Sequence, residues 1–332
     1  MQAKNVIVTS YMYRNKADYA EIVKKYIELG LTSLRVNCTR FSNDDYIWQI
    51  EQYRKNYKQA GVNVEIILDI PFPGEKERVF FFNKKKYSVK KGNIYCLKTE
   101  EKNIDCEDLL IVKDKKIFRM IKPGDELIIG DGEVQFTAIK SNFNNEVLLM
   151  ANNTGEFSLG KALTNISNSY TKKCSDSKRK ELNDLINKVN PNAIVLSFCE
   201  RKEQIKEYQD MFPKCTIIPK IESKKGIDNT ADMLTQCNEI MLGRGDLGIN
   251  EQYNCARFQD QVVRLCIKNN KRIIVATGVL DSLANGRIIP TRAEMIDMHH
   301  LNSSSNTRIV LAAGCAVNKE VIERTIKYVK ML

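Results

Sequence analysis

Histidine is nearly absent: the 332 residues contain two, His299 and His300, side by side. That excludes metal centres built from several imidazoles and argues against a Ser–His–Asp triad. Catalysis in this chain is therefore expected to run on carboxylates, lysine and a metal ion. Paired cysteines are missing too. Ten cysteines are scattered from Cys38 to Cys315 without one C-x-x-C, which suits neither zinc nor a disulfide framework and fits reduced thiols in a cytoplasmic protein. No apolar stretch approaches the ~20 residues of a membrane span. The N-terminus, "MQAKNVIVTSYMYR", lacks an apolar core followed by a cleavage site. Cytoplasmic localisation and no membrane partner are the expectations. Nucleic-acid signatures are also missing. The net charge is +11, but the lysines are spread along the chain, the longest run being "NKKKYSVKK" (83–91). The surplus reads as a solvated surface, or as attraction for a small phosphorylated anion, and not as a nucleic-acid partner.

What is present is globular: 43% hydrophobic and 28% charged residues, enough to bury a large core. Eight short β-branched runs recur, at 5–10, 33–38, 64–69, 193–198, 216–222, 239–243, 272–278 and 307–313. Amphipathic helical stretches lie between most of them. One is "ADYAEIVKKYIELG" (17–30), which Gly30 closes. Another is "SDSKRKELNDLINKVN" (175–190), with serines to cap it and Pro191 to stop it. Near-continuous apolar strands joined by helices form parallel sheets, and eight of them predict an α/β fold, a (β/α)8 TIM barrel. Residues 77–168 break the rhythm with alternating strands and turns, including a hairpin across Gly130-Asp131-Gly132. The expected organisation is a barrel from 1–76 and 169–332, with a small β lid domain, 77–168, inserted after the third strand.

Barrel chemistry collects at the C-terminal ends of the strands. There the sequence offers Arg35 and Asn37, Asp69, Ser197, Lys220 and Glu222, Asp246, and Thr277. Lys220 and Glu222 lie two apart on one strand and so point the same way. With Asp246 from the next strand they suggest a site for a hard divalent cation, with lysine beside it for a phosphoryl group. "LGRGDLGIN" (242–250) is neither a Walker loop nor a dinucleotide fingerprint. Alone it reads as a glycine turn. Beside Lys220 and Glu222 it reads as a loop in which Gly243 and Gly245 let backbone approach a ligand, Asp246 binds metal and Arg244 anchors. In "IPTRAE" (289–294), Thr291 and Glu294 form a capping box behind Pro290. It is expected to aim a helix N-terminus at the barrel mouth as a second anion site.

These stretches, in this order, resemble the pyruvate kinase family. "KIES", "LGRGDLGIN", "VATGVLDSL" and "PTRAEMIDM" are similar to its Lys-Ile-Glu, Arg-Gly-Asp-Leu-Gly, Ala-Thr-x-x-Leu-x-Ser and Pro-Thr-Arg-Ala-Glu signatures; "LRVNCT" and "ILDIPFPG" are similar to its Arg-x-Asn-x-Ser and Leu-Asp-Thr-Lys-Gly-Pro. The resemblance implies Lys220 as the phosphoryl-transfer lysine and Glu222 with Asp246 as ligands of Mg2+ or Mn2+. It implies the Gly245 and Asp246 amides and Thr277 around phosphoenolpyruvate, and Arg35 facing the phosphate. Asn37, Thr39 and Asp69 would surround K+, and Asp131 would belong to the lid. It further implies ADP and ATP as nucleotide partners, a homo-oligomer, and no C-terminal regulatory domain in this chain. The departures are specific. Ile70 and Pro71 replace a threonine and a lysine, leaving the K+ site short of an oxygen. The following arginine is at best Lys76 or Arg78, and Arg40 stands where a nucleotide-side histidine would. "LAAGCAV" (311–317) replaces Ser-Gly-Glu-Thr-Ala. Three readings follow: a pyruvate kinase-like phosphotransferase, a barrel that binds phosphoenolpyruvate or a 2-oxo acid on Mg2+ for other chemistry, and a non-catalytic metabolite-binding paralogue.

Overall fold

The computed structural model describes residues 1–10, 16–39, 41–81, 86–99, 109–167, 172–302 and 304–331. The chain forms two compact units, one of residues 1–73, 174–247 and 253–332, the other of residues 74–173 with 248–252.

The first unit is a closed barrel of eight parallel strands. They are β1 (Val6–Thr9), β2 (Ser33–Asn37), β3 (Glu65–Ile70), β4 (Ala193–Leu196), β5 (Thr216–Ile221), β6 (Glu239–Gly243), β7 (Arg272–Ala276) and β8 (Thr307–Leu311). Each neighbours the next, and β8 closes on β1 with Val6 opposite Ile309. Seven helices of ten residues or more accompany them among the described residues: α1 (Lys16–Glu28), α2 (Asn43–Gln59), α3 (Asp176–Val189), α4 (Lys202–Met211), α5 (Cys255–Lys268), α6 (Arg292–Asn302) and α7 (Lys319–Met331). Their ends follow local chemistry. Ser175 caps α3 by accepting from the Lys178 N–H, and Asn190 ends it in the left-handed conformation (φ 45°). Apolar helix stripes and the outward faces of the strands share one core, from Val6 and Tyr26 to Ile326 and Val329.

The strand period of two sorts the barrel interior into three layers. Ile7, Ile67, Val195, Ile218, Met241, Ile274 and Val310 form an apolar plug at mid-height. Two residues earlier along their strands lie the polar groups of the N-terminal face. There Arg308, 5% exposed, donates to Ser33, Glu65 and Glu239, and Arg272 also pairs with Glu239. Two residues later lie Thr9, Asp69, Ser197 and Lys220, at the C-terminal ends.

The second unit contains a seven-stranded sheet, antiparallel except between Ile94–Thr99 and Leu109–Val112. A bridge between Phe80 and Ile111 joins its edges, giving this sheet a barrel-like closure. The hairpin across Gly130-Asp131-Gly132 sets Val134 opposite Ile129. Tyr87, Tyr95, Phe118, Phe136 and Phe157 fill this unit's core. Among the described residues, no helix is long and apolar enough to cross a membrane.

Candidate active site

The C-terminal layer of the first barrel is a chain of alternating charges. Lys220 Nζ lies 2.9 Å from Glu222 Oε1 and 3.6 Å from Asp69 Oδ2. Asp69 Oδ2 also accepts from Arg35 Nε at 2.8 Å and pairs with Arg35 Nη2 at 2.6 Å, while Asp69 Oδ1 accepts from Ser197 Oγ at 3.1 Å. Arg35 Nη1 donates to Thr9 Oγ1 at 3.0 Å. The other oxygen of Glu222 accepts the Phe198 N–H at 3.0 Å. That N–H is turned toward it by a left-handed backbone at Phe198 (φ 51°).

The three central groups differ in protonation. Burial pushes Asp69 up, but Lys220 and Arg35 outweigh it and hold the carboxyl below its usual range. Burial pushes Lys220 down, but Asp69 and Glu222 outweigh it, so the ammonium is kept. Glu222 goes the other way. Burial, with Asp246 and Asp69 nearby, prevails over Lys220 and pushes its carboxyl up to about 7. One lysine shared between two carboxylates compensates Asp69 well and Glu222 poorly. A divalent cation would relieve this excess of negative charge at Glu222 and Asp246, so these donors fit one. Among the described residues, no three His, Cys, Asp or Glu side chains gather to hold a metal. Two carboxylates alone would leave the remaining positions of a bound cation to substrate oxygens and water, an arrangement that Mg2+ accepts.

The glycine-rich segment after β6 is not an open loop: a short helix, Arg244–Asn250, starts as the strand ends. Gly243 is needed for packing, since a Cβ there would stand 2.7 Å from Glu222 Cγ. Arg244 does anchor. Its Nε donates to the Thr277 carbonyl at 2.9 Å, and its Nη1 to Asp297 Oδ2 at 2.6 Å and Gln259 Oε1 at 3.2 Å. Thr277 has φ 78°, an outlier for a β-branched residue. The Thr291–Glu294 capping box is formed, and it spends two of the N–H groups at this helix start on itself. The Glu294 carboxylate takes the Thr291 N–H at 2.8 Å and Thr291 Oγ1 takes the Glu294 N–H at 3.2 Å, so the cap consumes these donors itself. The same carboxylate accepts from the Ser282 N–H at 2.8 Å and from Ser282 Oγ. Burial pushes Glu294 up, but Ser282 and Thr291 outweigh it and hold the carboxyl below its usual range.

A family model described as "Pyruvate kinase, barrel domain" matches residues 4–316. The chain belongs to the pyruvate kinase family. A pyruvate kinase of Clostridium perfringens is 25% identical over 316 residues, covering 92% of this chain and 65% of that protein. One of Thermotoga maritima is 25% identical over 319 residues, 93% of this chain and 66% of the relative. One of Mycoplasma pneumoniae is 26% identical over 312 residues, 91% and 61%. The chain thus spans a little under two thirds of the length of these relatives.

Against that family's implied K+ site, the residues here do not fit. Both Asp69 oxygens are engaged and its charge is matched by Arg35 and Lys220. Asn37 Oδ1 accepts from Thr39 Oγ1 at 2.9 Å, and the Ile70 side chain is buried in the core. Asp131, in the second unit, is exposed and pairs with Lys161 at 3.1 Å. In that unit Lys76 is 8% exposed and donates to Thr164, and Arg78 donates to the Gly160 carbonyl. Arg40 lies outside the described residues. After β8 the chain continues as Ala312, Ala313 and Gly314. Cys315 is buried with its Sγ on the Leu280 carbonyl at 3.5 Å, and burial pushes the thiol up to about 11. Sequence reasoning missed Thr9, Phe198, Gln259 and Asp297. Asp297 had a signal: it follows Glu294 by three on α6, so both carboxylates share one helix face.

Proposed function

We propose that this barrel transfers the phosphoryl group of phosphoenolpyruvate to ADP, giving pyruvate and ATP, with Mg2+ or Mn2+ held by Glu222 and Asp246. The observation that carries this reading is Lys220, charged, largely withdrawn from water and held between Asp69 and Glu222 at the mouth of the barrel. When bound, the divalent ion would supply Lewis acidity toward substrate oxygens. The chain's own residues do the rest. Lys220 presents a preorganised positive charge to the moving phosphoryl group. Arg35, fixed by Asp69 and Thr9, adds a second beside the phosphate. The Gly245 and Asp246 amides and Thr277 orient the substrate carboxylate and the developing enolate. In the net reaction the phosphorus–oxygen bond to the enol oxygen breaks, one to the ADP phosphate forms, and C3 takes a proton.

A second reading has its own observation. The exit of β8 presents Ala312, Ala313 and Gly314, and its one polar side chain, Cys315, is buried and spoken for. This segment offers no proton donor for C3, so the enolate formed beside Lys220 would be protonated slowly or passed to another acceptor. One experiment tests both readings. Calorimetry with oxalate, an enolate mimic, and with ADP runs alongside an assay of pyruvate and ATP from phosphoenolpyruvate, ADP and Mg2+. Mg2+-dependent oxalate binding tighter than ADP binding, with slow pyruvate formation, is expected. Oxalate failing to bind overturns both readings, and rapid ATP synthesis removes the second.

A further inference from the structure

Three left-handed residues interrupt the chain just after β7: Thr277 (φ 78°), Gly278 (φ 71°) and Leu280 (φ 54°). Glycine adopts this conformation freely, but threonine and leucine do not, and such a run persists only where its surroundings over-determine it. The surroundings here are mostly one helix face. At the start of the turn, Arg244 Nε holds the Thr277 carbonyl at 2.9 Å and is itself held by Asp297 at 2.6 Å. At the far end, Glu294 Oε1 takes the Ser282 N–H at 2.8 Å and Oε2 takes its hydroxyl. Glu294 and Asp297 stand three apart on α6 and so project from the same face. The Asp297–Arg244 pair is largely withdrawn from water, with side chains 24% and 14% exposed, which keeps it strong and geometrically fixed. Arg244 also neighbours Gly245 and Asp246 in sequence, so the arginine that Asp297 grips ties the start of the metal-carboxylate segment to the Thr277 turn.

We propose that α6 is a clamp for this turn, with Asp297 and Glu294 as positioning residues that set where Thr277 and Asp246 stand. Neither carboxylate has to touch substrate. Asp297 acts through Arg244, and Glu294 acts through Ser282. The clamp rests on the phosphotransferase reading for what the turn is positioned to do, but not for the clamping itself. With either contact removed, the turn relaxes toward ordinary backbone. Thr277 and the Asp246 segment then move together, and a displacement near 1 Å is enough for a large loss in a preorganised site. Hydrogen-bond acceptance, and not charge alone, is what Asp297 supplies, so an asparagine at this position keeps most of the effect.

The test uses the full chain with Asp297→Ala, Asp297→Asn, Glu294→Ala and Glu294→Gln. Amide hydrogen exchange over residues 277–285, Mg2+-dependent oxalate affinity and thermal melting are read for each. In both alanine variants exchange in 277–285 should rise above that of the rest of the barrel, and oxalate affinity should fall at least about tenfold. Asp297→Asn should stay within about threefold of the parent, whereas Glu294→Gln, which can keep only one of the two oxygens that accept the Ser282 and Thr291 N–H groups, should behave like the alanine variants. If an alanine variant fails to fold, the Asn and Gln variants still decide. Faster exchange at the turn in Glu294→Gln, with melting unchanged and with Asp297→Asn at parental exchange, upholds the clamp; parental exchange in Glu294→Gln overturns it. Alanine variants with parental exchange in 277–285, or with parental oxalate affinity where the parent binds oxalate, overturn it. Should the parent bind no oxalate at all, the phosphotransferase reading fails, and the exchange measurement alone judges the clamp.

Discussion

Glu222 titrates in the wrong place for a solvated carboxyl, and that displacement can be read out through a metal. With its carboxyl near 7 in the metal-free protein, the side chain is roughly nine-tenths protonated at pH 6 and about one-tenth protonated at pH 8. A divalent cation that binds the carboxylate has to displace that proton. Binding should therefore release about 0.9 proton at pH 6 and about 0.1 at pH 8, and the apparent affinity should rise about tenfold between them. Calorimetry of Mn2+ binding in buffers of different ionisation heats measures both quantities. Stability carries the same signature with its sign fixed. The folded carboxyl is raised above its unfolded value of 4.5. Its favourable contribution is thus full below pH 4.5 and lost as pH rises through 7, on the order of 3 kcal/mol for a fully buried group. Mn2+ should restore what is lost. Glu222→Gln, which keeps the shape, should abolish both the proton release and the pH dependence of binding, and weaken Mn2+ at least about a hundredfold. The metal-free variant should melt near the parent below about pH 5, where both side chains are neutral, and above the parent beyond pH 7, where the parent carries the buried charge at a cost. Proton release independent of pH, or unaltered Mn2+ affinity in Glu222→Gln, would refute this reasoning.

Three further outcomes follow from the same geometry. Because Arg35 and Lys220 already match the charge of Asp69, turnover or oxalate binding should change less than about twofold when K+ replaces a large organic cation; a strong K+ requirement would show that Asp69 exchanges partners. Gly243→Ala should cost about 1–3 kcal/mol in denaturant unfolding and lose Mn2+ affinity, because its Cβ would stand 2.7 Å from Glu222 Cγ. Arg308→Met should cost about 3–5 kcal/mol by leaving Glu239 buried without its main partner, yet leave Mn2+ affinity intact. A parallel loss of metal binding would mean that the two barrel faces are coupled.

The barrel was legible because its signal is repetitive. Eight apolar runs, period-two placement and helix caps such as Ser175 each point to the same architecture, and the strands fall where the runs do. Lys220 and Glu222 were legible for the same reason, since two residues on one strand share a side whatever the rest of the fold does. What escaped depends on contacts distant in sequence. That Asp69 would spend its charge on Arg35 and Lys220 cannot be read from "ILDIP". Nor does "RGDLG" disclose that a helix starts at once, or that Gly243 makes room for a side chain from the neighbouring strand. The capping box was read correctly as a helix start, but the destination of its carboxylate, Ser282, lies in a turn whose backbone no propensity scale would have drawn. Arg308 and Glu239 did leave a trace, as charges inside "TRIVL" and "EIMLG", where an outward-only reading of strands assigns them no role.

The pairing of β1 with β8 has a consequence for how the protein is made. Val6, Ile7 and Val8 bond to Ile309, Val310 and Leu311, and all six side chains are buried. During synthesis roughly 300 residues separate the two strands, which at about 5–20 residues per second is some fifteen to sixty seconds of translation. Throughout that interval the outer edge of β1 is an unpaired, apolar template with no native partner in existence. The inserted unit has all of its sheet strands upstream of β4, so it can complete its core while the barrel that carries it is still an open sheet. A nascent chain of this kind should depend on ribosome-associated chaperones for its first strands rather than its last.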